Sequence, residues 1–280
     1  MILWQAPSTV TGGRACTGYG LKGVESTMGG SFSRRLLVSV DAVGYGSGDD
    51  IRQRSMQTAI PAVLADAAKR AGLDRTRWVE QQAGDGELAI LPDDQSDHEP
   101  EVVDDFVREL NTALARHNRE LRDDARLRLR LAVHNGVAAP ADFGYAGQGV
   151  VAVSRLVDAA PVKAALRAVP TANLALVLSE RVFLDVVAQG HTAVPPAAFR
   201  AITVHNKEFR ETAYLHLPGH DVHGIPTDAL DSPRPAPAPA RTDPPPAADS
   251  ARQPHQATMT QNFYGSVDAT ESVVGIQWNA

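Results

Sequence analysis

Apolar residues fall into runs whose period changes along the chain. Arg35-Leu-Leu-Val-Ser-Val-Asp41 is an apolar run that ends on a carboxylate, and Ala-Val-Gly44-Tyr45-Gly46 follows it as a turn that two glycines permit. The pattern predicts a strand with Asp41 at its carboxyl end, where α/β and α+β proteins commonly set ligand-binding groups. From Asp49 to Ala71 the apolar positions Ile51, Met56, Ile60, Val63, Leu64, Ala67 and Ala68 take the helical period. Asp49 or Asp50 caps that helix, Gly72 ends it, and Pro61 predicts a kink within it. Trp78 to Gln82 and Leu88 to Leu91 flank Gly84-Asp85-Gly86, the signature of a hairpin. Glu101 to Asn118 carries Val102, Phe106, Leu110, Leu114 and Ala115 on one helical face. Arg126 to His134 alternates strictly, which predicts a half-buried strand whose arginines and His134 form a solvated face. The order strand, helix, strand, strand, helix, strand is the βαββαβ arrangement of an α+β, ferredoxin-like fold.

Beyond this unit, Asn135 to Gly147 reads as a polar connection. Helices are expected over Val150 to Ala159 and Val162 to Val169, broken near Pro161, with a strand over Leu174 to Leu178 and a helix over Glu180 to Val187. Phe199 to Val204 and Ala213 to Leu217 form a closing strand pair, so the chain gains α/β elements after the ferredoxin-like core. The folded domain is expected over 34–219, ending at Pro218-Gly219, after a flexible leader over 1–33 rich in Gly, Ser and Thr. Residues 220–257 hold Pro233, Pro235, Pro237, Pro239 and Pro244-Pro245-Pro246, the composition of an extended spacer. The last segment, 258–280, has few charges and no proline, and Ser272-Val-Val-Gly-Ile-Gln-Trp278 has the features of a cross-β segment.

Charge and composition narrow the function. The formal net charge of -6 argues against non-specific nucleic-acid binding, which needs a basic face. No apolar run approaches the roughly 20 residues of a membrane span, and the first residues lack the basic and apolar regions of a secretory signal. Cys16 is the only cysteine and cannot form an internal disulfide, so a cytoplasmic protein is expected. The remaining chemistry lies in two carboxylates: if their strands are neighbours, Asp41 and Asp85 form a hard-oxygen site suited to Mg²⁺. Taken singly they are a strand-end carboxylate and a turn residue. The histidines lack metal-ligand spacing.

Val40-Asp41-Ala-Val-Gly44-Tyr45, Ala83-Gly84-Asp85-Gly86, the strand Leu127 to His134, and Gly147-Gln-Gly-Val-Val-Ala-Val-Ser-Arg155-Leu-Val-Asp158 together resemble the catalytic domain of class III nucleotidyl (adenylate/guanylate) cyclases. The likeness extends from Arg34 to Gly219 and leans toward actinobacterial cyclase-like domains, more distantly toward pyrimidine cyclases of anti-phage signalling. It implies that Asp41, the Ala42 carbonyl and Asp85 hold Mg²⁺ or Mn²⁺. It implies further that Gly44, Tyr45 and Gly46 border the phosphates, that Arg155 neutralises the α-phosphate, and that the site forms in a homodimer. Two positions depart from the family pattern. Val151 stands where the family carries a ribose-orienting Asn, and Gln81 where purine cyclases often carry a base-reading Lys. Gln81 can donate and accept, and Asp142 is the second candidate base reader, so the nucleobase stays open. In the tail, Asn262-Phe-Tyr-Gly265-Ser-Val267 and Val274-Gly-Ile-Gln277 resemble bacterial amyloid signalling (RHIM-like) motifs, which implies a protein partner carrying a matching segment. The expected substrate is a nucleoside triphosphate. The alternative is a catalytically degenerate cyclase-fold effector or adaptor, favoured by Val151.

Overall fold

A computed structural model describes residues 32–230 apart from 84, 96, 97, 143 and 207. They all fall in the first of the two units, Met1–Pro233 and Arg234–Ala280, into which the chain divides. The glycine-rich leader up to residue 31, the proline-rich stretch from 231 and the tail expected to be a cross-β segment lie outside the described residues.

Among the described residues, β1 (Ser33–Ala42), β2 (Val79–Ala83), β3 (Gly86–Ile90), β4 (Leu129–Ala141), β6 (Leu174–Ser179), β7 (Arg200–Asn206) and β8 (Phe209–His216) form one sheet. The order is β2-β3-β1-β4-β6-β8-β7, and β5 (Gly144–Ala146) pairs with β4 alone. Only β4 and β6 run parallel; the other pairs are antiparallel. The first four strands of the main sheet, with α1 (Asp50–Arg70) between β1 and β2, build the expected α+β core. Its second helix, α2, is a continuous helical run made of Glu99–Glu101, a π segment Val102–Phe106 and Val107–His117.

Strand alternation divides the core into two layers. Leu36, Val38, Val40 and Ala42 of β1, with Leu129, Leu131 and Val133 of β4, face α1 and α2. Leu37 and Ala132 face the opposite layer, built from α3 (Gln148–Val157), α4 (Ala160–Ala168) and the short α6 (Thr227–Leu230). α5, made of Glu180–Val182 and the π segment Phe183–Val187, packs on the first layer through Val182, Phe183 and Val186. Burial of both faces explains why β6 is apolar from Leu174 to Leu178 rather than alternating.

Several sequence expectations change here. The strand expected to end at His134 continues to Ala141 and turns back through β5, so the polar connection is largely strand. Asn135 and Gly136 carry no apolar side chain, yet β1 pairs them as far as Ser33↔Ala138. Pro61 sits inside α1 without ending it: the missing N–H costs one bond, and burial of Ile60, Val63 and Leu64 around it holds the helix. The break expected near Pro161 is present, between Val157 and Ala160, and Pro161 stands in the first turn of α4, where a proline is pre-organised. The strand arginines are not a solvated face, because the second helical layer covers them. Arg128 donates to the carbonyls of Leu166 (2.5 Å), Val169 (2.8 Å) and Ala172 (2.8 Å), closing the C-terminal end of α4. Packing also continues past Gly219, where Val222, Ile225 and Leu230 are buried in the second layer.

One close approach sets the position of α3. A Cβ on Gly149 would lie 2.8 Å from the Gly136 carbonyl carbon, and one on Gly136 would lie 2.7 Å from the Gly149 Cα. Glycine at both positions lets the helix start directly on β4. Gly147, with φ 134°, precedes it in a conformation that side chains disfavour.

Candidate active site

The end of β1 and the β2–β3 hairpin meet at backbone level. Asp41 stands opposite Gly86 in register, and the Ala42 N–H donates to the Asp85 carbonyl at 3.1 Å. The structure therefore brings Asp41 and Asp85 onto neighbouring strand ends at backbone level. Gly86 keeps space beside Asp41 open, because a Cβ there would lie 3.6 Å from Asp41 Oδ1 and 2.6 Å from the Val40 carbonyl oxygen. Asp41 takes the face of Leu37, toward the second layer. Asp85 borders a cavity of about 360 Å³ on the α1 side, lined also by Gln57, Ile60, Pro61, Gln82 and Glu87.

On β4, Arg130 lies opposite Asp41 in the same register and its guanidinium forms an ion pair with Asp41 Oδ2. Both side chains are largely shielded from water. Burial pushes the Arg130 guanidinium below the usual arginine range, with Asp158 opposing that shift and Arg167 adding to it. Sequence reading missed this residue's role. The available signal was the register: a strand alternating Arg and Leu beside one ending in Asp41 sets a cation against that carboxylate.

The turn after Asp41 has the expected bend. Gly44 has φ 77° and Tyr45–Ser47 form a short 3-10 turn. Tyr45 packs against the first-layer core and its hydroxyl accepts from Gln57 Nε2 at 2.6 Å, which ties the turn to α1. Nothing lies within 4 Å of a Cβ placed on Gly46, so open space surrounds it. Gln81, exposed on β2, reaches the β4–β5 turn: a Cβ on Gly144 would lie 2.6 Å from Gln81 Oε1. Asp142 is exposed in that same turn, so the two candidate base readers belong to one corner. Arg155 lies one helical turn beyond Val151 on α3, and Val151 is 45% exposed. Residues four apart share a helix face, so this pair presents one apolar and one cationic side chain together.

A buried ion pair holds the hairpin under Asp85. One Arg75 amino group donates to both Glu87 carboxylate oxygens at 2.6 Å, with side-chain exposures of 9% and 3%. Its guanidinium also lies 5.5 Å from the Trp78 ring centroid, and Trp78 Nε1 donates to Gln95 Oε1 at 2.8 Å. Periodicity does not reveal this pair, since Arg75 lies in a short 3-10 turn and Glu87 in a strand.

Several known structures are similar to this chain. The guanylyl cyclase Cya2 matches over 67% of this chain and 92% of its own, at 15% identity and a TM-score of 0.48. An adenylate/guanylate cyclase/hydrolase from Silicibacter pomeroyi matches over 67% and 99%, at 18% identity and 0.46. The adenylyl cyclase CyaB from P. aeruginosa matches over 69% and 99%, at 12% identity and 0.45. No protein-family model and no curated protein matches the chain.

On β4 opposite the middle of β1, His134 lies against Gly136, its Nδ1 is buried without a hydrogen-bond partner, and Glu99 accepts from Asn135 Nδ2. Burial, assisted by the Arg34 charge, lowers the His134 pKa to about 4. The folded chain thus refuses a proton that the unfolded chain takes up near pH 6.5. His134 contributes stability that is present above that pH and lost as pH falls toward 4. An NMR titration is expected to give His134 a midpoint near pH 4; a midpoint near 6.5 would contradict the burial argument.

Asp41 and Asp85 carry carboxylate oxygens and the end of β1 carries carbonyls, donors of the hard class that Mg²⁺ and Mn²⁺ take, with Asp41 on the second-layer face of the sheet and Asp85 bordering the α1-side cavity. Among the described residues no cluster of three or more His, Cys, Asp or Glu offers a metal site. Nor is any helix of the described residues long and apolar enough to cross a membrane.

Proposed function

We propose that the chain is a metal-dependent nucleotidyl cyclase, converting a nucleoside triphosphate to a cyclic nucleotide monophosphate and pyrophosphate. The observation that carries this reading is the meeting of Asp41 and Asp85 across the Ala42–Asp85 backbone bond, beside the space that Gly86 leaves. Asp41, the Ala42 carbonyl and Asp85 would hold Mg²⁺ or Mn²⁺. A divalent ion held there would acidify the ribose 3′-hydroxyl and offset the charge of the triphosphate.

The chain's own groups position the substrate. Backbone N–H groups of the Gly44-Tyr45-Gly46 turn face the phosphates, with Tyr45 fixing the turn to α1 through Gln57. Gln81 and Asp142 read the base from their common corner. Arg155 neutralises charge on the α-phosphate, a task for a permanently charged planar fork. Its place beside exposed Val151 on α3 supports delivery across the interface of a homodimer.

One observation favours a second reading. Val151 cannot hydrogen-bond a ribose, which supports an effector or adaptor that binds nucleotide without turnover. In either case the tail, 258–280, recruits a protein partner carrying a matching amyloid motif, in bacterial signalling or anti-phage defence within the cytoplasm. The test is turnover. With Mn²⁺ or Mg²⁺ and each of the four nucleoside triphosphates, the full chain is expected to form a cyclic product from at least one. Nucleotide binding with no product from any of the four would establish the adaptor reading instead.

A further inference from the structure

Arg130 is the closest cation to Asp41, and it meets the same carboxylate that the proposed metal needs. The pair is built into the sheet: Asp41 and Arg130 are Cα partners in the β1–β4 ladder, so backbone register alone brings their side chains together. Their side chains are only 20% and 12% exposed, so water screens the attraction weakly. A charge held this way lowers the net negative charge of the donor set, and a divalent cation arriving at Asp41 meets repulsion at short range.

The guanidinium is not fully satisfied where it is. Arg130 Nε is buried with no hydrogen-bond partner, although arginine has five donors to place. A second acid acts on the same charge from the helical layer. Asp158, at the C-terminal end of α3, attracts it, while Arg167 on α4 repels it. Asp158 itself is held by Lys163 and by Asn206 Nδ2 at 3.3 Å. Asp41 pairs with Arg130 directly, and Asp158, at the end of α3, attracts the same charge.

We propose that Arg130 is a resident counter-cation that competes with the divalent metal for Asp41, so that metal loading requires its guanidinium to leave Asp41 for the Asp158 side. This inference rests on the reading of Asp41 as a metal ligand. It assigns Arg130 a positioning role that sets metal affinity. It also couples the metal to the second helical layer, because loading moves charge toward the end of the helix that carries Arg155.

The test uses Mn²⁺ alone, with free ion counted by electron paramagnetic resonance during titration of the full chain. Arg130→Met removes the charge and keeps the bulk. Arg130→Gln removes the charge but keeps a donor for Asp41, and it serves where the methionine variant does not fold. Either neutral variant is expected to bind Mn²⁺ at least tenfold more tightly than the unaltered chain. Adding Asp41→Asn to the same variant is expected to abolish the gain. A merely structural role for Arg130 would lower thermal stability without tightening Mn²⁺. If the unaltered chain binds Mn²⁺ through Asp41 and the neutral variants bind no more tightly, the counter-cation is refuted while the metal site stands. If no variant binds Mn²⁺, both fall.

Discussion

Glu87→Ala is expected to cost about 3 kcal/mol of unfolding free energy, the low end of what breaking a buried ion pair costs. Glu87 is 3% exposed and both of its oxygens accept from one Arg75 amino group at 2.6 Å. Truncation leaves a guanidinium buried against Trp78 with only Glu80, at 3.3 Å, to share its charge. That remaining partner places the effect near the lower limit. Urea unfolding should show a fall in midpoint with unchanged slope, and Arg75→Met combined with Glu87→Leu should recover much of the loss, because burying two apolar groups removes both desolvation penalties. A loss below about 1 kcal/mol would show that the pair behaves as a surface bridge. The consequence reaches the site, since Glu87 lies next to Gly86 on the strand that positions Asp85.

Much of this fold was legible in the sequence because its signals are local. Alternation in Arg126 to His134 marked β4, helical spacing marked α1, and Asp49 caps α1 as its side-chain chemistry suggests, accepting from the Arg52 N–H at 2.8 Å. What was not legible depends on pairing across the chain. The continuation of β4 to Ala141 comes from β1 offering a ladder, and no apolar period marks it. The solvated face assigned to the arginines fails because nothing in one strand says that a helical layer will cover it. Pro61 does not end α1, because tertiary burial of its neighbours outweighs the one lost bond.

The candidate site divides the same way. Asp41 and Asp85 were visible as a strand-end carboxylate and a turn carboxylate flanked by glycines, and the structure makes them neighbours through one backbone bond. Gln81, far from Asp142 in sequence, reaches Gly144 at the β4–β5 turn on which Asp142 lies. Arg130 was hidden, because its meaning lies wholly in its register against Asp41.

The second large effect concerns those carboxylates. Asp41→Ala and Asp85→Ala are each expected to abolish metal capture, since a divalent ion bound at about 2.1 Å needs charged oxygens from both strand ends. The measurement that tests this most directly is anomalous diffraction at the manganese edge, on crystals of the full chain grown with Mn²⁺ and a non-hydrolysable nucleoside triphosphate analogue. The account predicts an anomalous peak within bonding distance of both the Asp41 and Asp85 carboxylates, lost in either alanine variant. A peak held by only one of them, or analogue density with no peak at this strand end, would contradict it.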